Sequence, residues 1–470
     1  MRHITVMLRV LNLYRASKSI RHAQSLSRPD MLALQEKRWR ALARRAFATS
    51  PFYRRHLAGL DLDRCSFSDI PVLTKATLVK NWDEIVPDPR LRWAALEQHL
   101  KNPQNWCKLL NGRWMVSMTS GTSGAAIAIP HEITSVDWNH AAHAIRNAPT
   151  TKKSSTPKPS LFGKRPVAAS FICSSAPSVS ASLLQTRPWI GSLFCDYQPI
   201  SVTAPWQEII DRLHQVKPTI LIGYASLIGR LAQAKLDGTL KLELPTPGGA
   251  ISTGGDCLTP GIRSLCKQAW GIDPLDGYGC GEALGIARQW SGMDSLVVFE
   301  DLAVFEAVDQ NEQDSPQGTL SDHALVTPLF NTALPLLRYR LDDRVRFGPE
   351  PAGWPFKVIQ ELSGRSAMTY TFRTPEKIIF VGTKFLTVLA HQPEVTAYQF
   401  RQTSADAIEC LFVVQRGSDK NEIQSRLEAS IRRCLIEGGC TNVRSRAIPV
   451  HHLEPDPRTG KVEQNVPLKE

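Results

Sequence analysis

No two of the ten cysteines form a C-x-x-C pair, so nothing points to a zinc ribbon or a disulfide framework. Thiols scattered from Cys65 to Cys440 fit a reducing compartment. Long apolar runs are missing too. The longest uncharged stretches, near residues 114–130 and 166–186, are rich in Ser, Thr, Gly and Pro and do not read as membrane spans. The apolar N-terminus is broken by Arg9 and Arg15 and precedes no small-residue cleavage site, so no signal peptide is read. A Gly-x-Ser-x-Gly elbow is absent, which argues against a serine hydrolase of that type. There is no internal repeat. These absences leave a soluble cytoplasmic protein as the expectation.

Acidic residues are nearly missing from the first 60 positions. There, 13 Lys and Arg stand against only Asp30 and Glu36, while the remainder carries 43 basic and 42 acidic side chains. The +12 of the whole chain is therefore an N-terminal property, and a body this neutral argues against a nucleic-acid partner. A length of 470 residues, 42% hydrophobic and 21% charged, predicts a globular protein of more than one domain.

Residues 4–20 read as a helix whose apolar positions spread nearly all round. A helix lying on a membrane needs a segregated apolar face. The segment is therefore expected to pack on the body, with membrane-surface contact through residues 1–25 as the alternative. Residues 31–47 form an amphipathic pattern, with Leu32, Trp39, Leu42 and Ala46 inward and Arg38, Arg44 and Arg45 outward. Residues 147–166 read as a mobile polar loop. From residue 205 a helix (206–216), a strand (218–223), a helix (226–237) and a strand ending at 248–253 alternate, which indicates α/β architecture. The last hundred residues differ: strands near 395–401 and 408–415, a helix at 418–435 and a strand at 442–450 form a small α+β unit. Its boundary falls at Gly364–Met368.

Five short segments can carry chemistry. In SMTSGTSG (117–124), the hydroxyls of Thr119, Ser120, Thr122 and Ser123 alternate with Gly121 and Gly124. Glycines let consecutive N–H groups turn into one concavity, which suits nucleotide phosphates. No Gly-Lys-[Ser/Thr] closes a Walker loop, and a plain Ser/Gly loop is the alternative. DGYGCGE (276–282) lacks the third glycine of a dinucleotide fingerprint. Its Tyr278 offers a face for a purine, and Glu282 offers a hard oxygen for Mg²⁺ beside phosphates. RYRLDD (338–343) ends in paired carboxylates that can accept from ribose hydroxyls; a salt-bridged surface turn reads equally well. Gly364-Arg365 stands at the domain boundary, and PRTGK (457–461) sets a lysine on a glycine-flanked loop. His140-x-x-His143 could face one side of a helix as metal ligands, without an evident third.

Taken in order, these segments resemble the adenylate-forming superfamily of acyl-CoA synthetases, luciferases and peptide-synthetase adenylation domains. SPFYRRHL (50–57), PTILIGYAS (218–226), STGGDCLTP (252–260) and HQPEVTAYQF (391–400) make the chain most similar to the phenylacetate–CoA ligase branch and its deazaflavin-nucleotidylating relatives. The resemblance covers roughly residues 30–465. It implies a large multi-layer α/β N-terminal domain (1–363, with 1–30 a basic extension) and a small mobile α+β C-terminal lid (364–470). It also implies ATP, Mg²⁺ and a carboxylic acid, with coenzyme A as acceptor. Thr119, Ser120, Gly121, Thr122, Ser123 and Gly124 would hold phosphates. Gly254, Gly255 and Asp256, with Asp276, Gly277, Tyr278 and Gly279, would line the adenine pocket. Glu282 would ligate Mg²⁺, Asp343 the ribose, and Arg365 the ribose or phosphate side. Lys461 would steady charge on carboxylate and α-phosphate oxygens. Thr119, Glu282 and Lys461 are thus the catalytic candidates.

Three departures from the family pattern stand out. Leu341-Asp342 replaces Thr-Gly before Asp343, Ala125 and Ala126 stand where a lysine often follows the phosphate loop, and Ser366, Ala367 and Met368 replace an acidic pair at the hinge. Transfer to coenzyme A is accordingly set against other acceptors: an amine, a carrier-protein thiol, or AMP transfer to a deazaflavin-type cofactor. A catalytically silent scaffold, bound to membrane or nucleic acid through residues 1–60, is the reading from another class. Glu282, Asp343 and Lys461 together argue against it. The stretch 169–184, small and mixed in polarity, admits an aryl or acyl chain without specifying one.

Overall fold

The computed structural model describes residues 2–119, 127–146, 165–174, 176–246, 248–351, 353–365, 370–373, 378–381, 392, 394–437, 440–456, 460–466 and 468. The protein is of mixed α/β class and divides into two compact units. The first holds residues 1–154, 176–193 and 277–362; the second holds 155–175, 194–276 and 363–470. The polar loop expected at 147–166 lies, up to residue 164, outside the described residues.

In the first unit, helix Arg28–Thr49 begins at Ser27, whose hydroxyl accepts from the Asp30 N–H, with Pro29 in the first turn. Its buried stripe is Met31, Gln35, Trp39, Leu42, Ala43 and Ala46. The sequence placed Leu32 inward and Arg38 outward, and the structure reverses both. Leu32 sits one position off the stripe and is exposed. Arg38 reaches back to the Asp301 carbonyl and Ser19, with its guanidinium over Trp138 and Phe330. The expected terminal helix runs from Arg2 to Ala23 and packs on helix Ile133–Arg146, where Arg9 pairs with buried Asp137. An antiparallel hairpin joins Trp114–Met118 to Ala128–Glu132. A three-stranded sheet (Ala303–Val308, His323–Pro328, Tyr339–Leu341) lies in the same unit. So does, up to residue 362, a five-stranded sheet in the order Asp343–Phe347, Val358–Arg365, Leu296–Val298, Leu284–Gln289, Gly277–Cys280. Trp114, Tyr53, Phe305 and Tyr339 fill the core they share.

In the second unit, four parallel strands run in the order Asp196–Ser201, Val167–Ile172, Ile220–Gly223, Ala250–Thr253. Helices Trp206–Val216, Ala225–Leu236 and Pro260–Trp270 alternate with them along the chain; the periodicity predicted the first two helices and the strands at 220–223 and 250–253, and made no prediction for the rest. The C-terminal part adds a sheet ordered Arg444–Pro449, Ala407–Val414, Val395–Ser404, Asn465–Val466, covered by helix Lys420–Glu437. Each of these C-terminal elements but the short last strand matches its expected position within a few residues. The hairpin Tyr370–Arg373 with Ile378–Val381 had no sequence signal. Strand Val395–Ser404 packs on helices Ala225–Leu236 and Pro260–Trp270.

Candidate nucleotide and acyl-activation site

The hydroxyl-glycine loop joins the two strands of the hairpin in the first unit. At its base the Thr119 N–H donates to the Ile127 carbonyl (2.9 Å), and the Ile127 N–H donates back to Thr119 Oγ1 (3.0 Å). This clasp sets where the loop leaves and returns. Ser120, Gly121, Thr122, Ser123 and Gly124 themselves lie outside the described residues.

Strand Gly277–Cys280 pairs with Leu284–Gln289, and the register slips between Tyr278 and Gly279. A Cβ at Gly279 would stand 2.1 Å from the Leu284 carbonyl oxygen, so glycine is required there. The slip accompanies an inward Tyr278, whose buried ring meets Phe305 edge-on and whose hydroxyl donates to Asp343 Oδ2 at 2.8 Å. Two candidates 65 residues apart thus touch directly. Glu282 Oε1 accepts from the Tyr339 hydroxyl at 3.4 Å. Burial and the Glu282 charge raise the Tyr339 pKa far above its ordinary value, so the phenol remains a donor. Burial, then Glu282, likewise keeps the Cys280 thiol protonated.

One positioning pair escaped the sequence reading. His131 Nε2 lies 2.7 Å from the Gly281 carbonyl, and its Nδ1 lies 3.2 Å from the Asn331 amide nitrogen. A carbonyl can only accept, so Nε2 carries the proton and Nδ1 accepts from Asn331. Burial lowers the His131 pKa to about 4, which keeps the ring neutral. The pair fixes Gly281 beside Thr119: a Cβ at Gly281 would approach Thr119 Cγ2 to 3.3 Å. Nothing local in Ile-Pro-His-Glu announces this, because Asn331 is 200 residues away.

The second unit brings together a different set. Thr253 Oγ1 donates to Asp276 Oδ1 at 3.0 Å. Gly255 has φ +85°, and a Cβ there would press on the Tyr224 ring at 2.9 Å. The Asp256 carboxylate accepts from the N–H groups of Ala225 (2.5 Å) and Ser226 (3.1 Å) and from the Ser226 hydroxyl. It thereby caps helix Ala225–Leu236 from 30 residues downstream, where Tyr224 supplies no side-chain cap. Burial raises the Asp256 pKa; those donors and Lys461 pull it down. Lys461 Nζ lies 5.2 Å from the centre of the Tyr224 ring. The turn that presents it needs Gly460, at φ +67°, because a Cβ there would run into Val202 at 2.1 Å. The Asp456 N–H donates to the Lys461 carbonyl at 2.8 Å and closes the turn.

Thr119, Gly277, Tyr278, Gly279, Glu282 and Asp343 therefore belong to the first unit. Gly254, Gly255, Asp256, Asp276 and Lys461 belong to the second, as does Arg365, whose backbone ends strand Val358–Arg365. His140 and His143 share helix Ile133–Arg146. Burial and the nearby arginines lower both to about 3, with Arg187 and Arg9 bearing on His140 and Arg288, Arg146 and Arg187 on His143. That field opposes a cation, and among the described residues no three His, Cys, Asp or Glu gather for a metal. None of the ten cysteines is joined in a disulfide. Among the described residues no helix is long and apolar enough to cross a membrane.

No family model matches the sequence. The architecture is similar to 2-hydroxyisobutyryl-CoA ligase in its postadenylation state with an acyl-AMP, at TM-score 0.67 and 16% identity over 94% of this chain and 90% of that one. The same ligase with its acyl-AMP and CoA in the thioesterification state matches at TM-score 0.56 and 16% identity, over 95% and 91%. The fold is thus that of the adenylate-forming CoA ligases. In sequence the chain is 27% identical to protein CapK of Staphylococcus aureus over 227 residues, 47% of this chain and 48% of CapK. It is 30% identical to phenylacetate-coenzyme A ligase of Pseudomonas putida over 155 residues, 32% of this chain and 33% of the ligase. The chain spans about half the length of the first relative and a third of the second. At 16% identity the solved structures show the fold, and the likeness in sequence extends to part of a phenylacetate-coenzyme A ligase.

Proposed function

We propose that the protein activates a carboxylic acid with ATP and passes the acyl group to coenzyme A. A substrate carboxylate oxygen attacks the α-phosphorus, the bond to pyrophosphate breaks, and the acyl carbon then bears AMP, a far better leaving group than hydroxide. A thiolate then displaces AMP and forms the thioester. Thr119 and residues 120–124 cradle phosphates through hydroxyls and N–H groups. Asp343, oriented by Tyr278, accepts from the ribose, and the backbone around Gly254–Asp256 and Asp276–Gly279 borders the adenine. Arg365 serves the ribose or phosphate side.

Glu282 offers one hard oxygen, and the described residues hold no cage of three ligands. That fits Mg²⁺ carried mainly by phosphates. Bound there, the ion would offset phosphate charge. Lys461 places an ammonium where negative charge develops on the carboxylate and α-phosphate oxygens. Residues 364–470 act as the lid that carries this lysine and change position between the half-reactions.

The observation that carries the reading is Lys461 itself. A glycine-dependent turn presents it against Tyr224, Gly255 and Asp256, within a chain that has the fold of adenylate-forming ligases. The test is pyrophosphate exchange across a panel of aryl and acyl carboxylic acids, with thioester formation followed with and without coenzyme A. Acid-dependent exchange is expected. Exchange without thioester would move the acceptor to an amine, a carrier-protein thiol or a cofactor phosphate, and no exchange with any acid would overturn the proposal.

A further inference from the structure

The N-terminal helix Arg2–Ala23 is joined to the first unit along one side only. Arg9 pairs with Asp137 and donates to the Thr186 carbonyl, while Ala16 and Ile20 bury against Ala141, Ala142 and Phe299. The opposite side is divided along its length. Towards the N-terminus it exposes Met7 (68%), Leu8 (58%), Leu11 (43%) and Tyr14 (66%). Towards the C-terminus it exposes Arg15, Lys18, Arg21 and His22. Isolated apolar side chains on a surface are ordinary; four large ones on one helix face are not. Three residues along the chain from the carbonyl that Arg9 holds, Trp189 is also exposed.

The charge on this face is uncompensated. Arg9, Arg28, Arg40, Arg44 and Arg55 of the basic N-terminal region each have an acidic partner. Arg15, Lys18 and Arg21 have none among the described residues. An apolar end followed by a basic end suits a helix that dips into the acyl boundary and rests its cations on anionic headgroups. A second copy of the chain would bring two such basic ends, each within an N-terminal region of net +11, towards each other. A nucleic acid would not use four apolar side chains.

We infer that this helix face is a docking surface for an anionic lipid bilayer. The inference is independent of the reaction proposed above.

The test uses the full chain with vesicles of phosphatidylcholine alone, or with about a third phosphatidylglycerol, followed by sedimentation. Binding is expected to the anionic vesicles and to weaken with salt. Met7→Glu with Leu11→Glu, and separately Arg15→Glu with Lys18→Glu, should each lower the partition coefficient at least about tenfold. Both pairs are exposed, so the melting temperature should stay as in wild type. No binding, equal binding to neutral vesicles, or full binding by either variant would overturn the inference. So would a dimer in solution that Met7→Glu with Leu11→Glu dissolves while vesicles remain unbound, since that would assign the face to a second copy.

Discussion

The two groups of candidate residues are held by opposite electrostatic means. In the first unit the acids Glu282 and Asp343 accept from phenols, Tyr339 and Tyr278, and the Gly281 carbonyl accepts from a neutral His131. In the second unit Asp256 sits at a helix N-terminus within the field of Lys461. A neutral donor fixes the geometry of a carboxylate without bringing a charge of its own. At Asp256 the helix N-terminus and an ammonium already answer the charge.

Removing the ammonium should have the largest effect. Lys461→Ala should slow acyl-adenylate formation by at least about 100-fold, the usual scale for a contact made to developing charge. Thiolation of a supplied acyl-adenylate should be largely spared. Measuring the half-reactions separately decides it: equal losses would mean a general defect, and intact adenylation would remove Lys461 from the chemistry.

The two aspartates should then separate in kind. Asp256→Ala should cost about 2 kcal/mol of stability in urea unfolding, because charge-assisted bonds to the start of helix Ala225–Leu236 are lost. Asp343→Ala gives up the bond from the Tyr278 phenol but no helix cap, and should cost less stability than Asp256→Ala while weakening ATP binding about tenfold. Calorimetry and urea melts on both variants sharpen the comparison; interchanged results would break it. A smaller effect is expected at Glu282→Gln, which should raise the Mg²⁺ concentration for half-maximal exchange several-fold, since one anionic ligand oxygen is lost. An unchanged metal requirement would leave Glu282 a structural residue.

Legibility in the sequence followed the range of the interactions. The alternation from 206 to 253 and the elements from 395 to 450 were readable because helix and strand periods are local signals. Leu32 and Arg38 were misassigned because the helical period alone does not say which of two adjacent rows meets the body, and Arg38 is satisfied by Asp301, far away in sequence. The hydroxyl-glycine loop was singled out by residue type, and Lys461 by its glycine-flanked setting. That Tyr278 is tied to Asp343, that Asp256 caps a helix, and that His131 holds Gly281 depended on partners 65, 30 and 150 residues away. Such pairings come from strand order and helix packing, and no local pattern records them.

The smallest effect at neutral pH is one that acid should reveal. His131→Gln keeps an amide donor for the Gly281 carbonyl and removes a titrating group, so near pH 7 its cost should stay below about 1 kcal/mol. Burial holds the folded His131 at about 4, against an ordinary value near 6.5. Between those values the unfolded chain binds a proton that the folded chain refuses. The stability of the neutral arrangement is therefore complete above pH 6.5 and is lost as pH falls towards 4, by about 1.4 kcal/mol per unit for each such group. His140 and His143, both at about 3, and His56, His99 and His323, also lowered by burial, act in the same direction. Glu306, raised by burial to about 7, acts against them, so the test is the difference between variant and wild type. In His131→Gln that slope should drop by one proton, and urea unfolding at intervals from pH 7 to 4.5 measures the difference. Identical slopes would mean that His131 protonates as readily folded as unfolded. The Gly281 turn would then be held by a charge, and the contrast between the two groups of residues would fail at its most specific point.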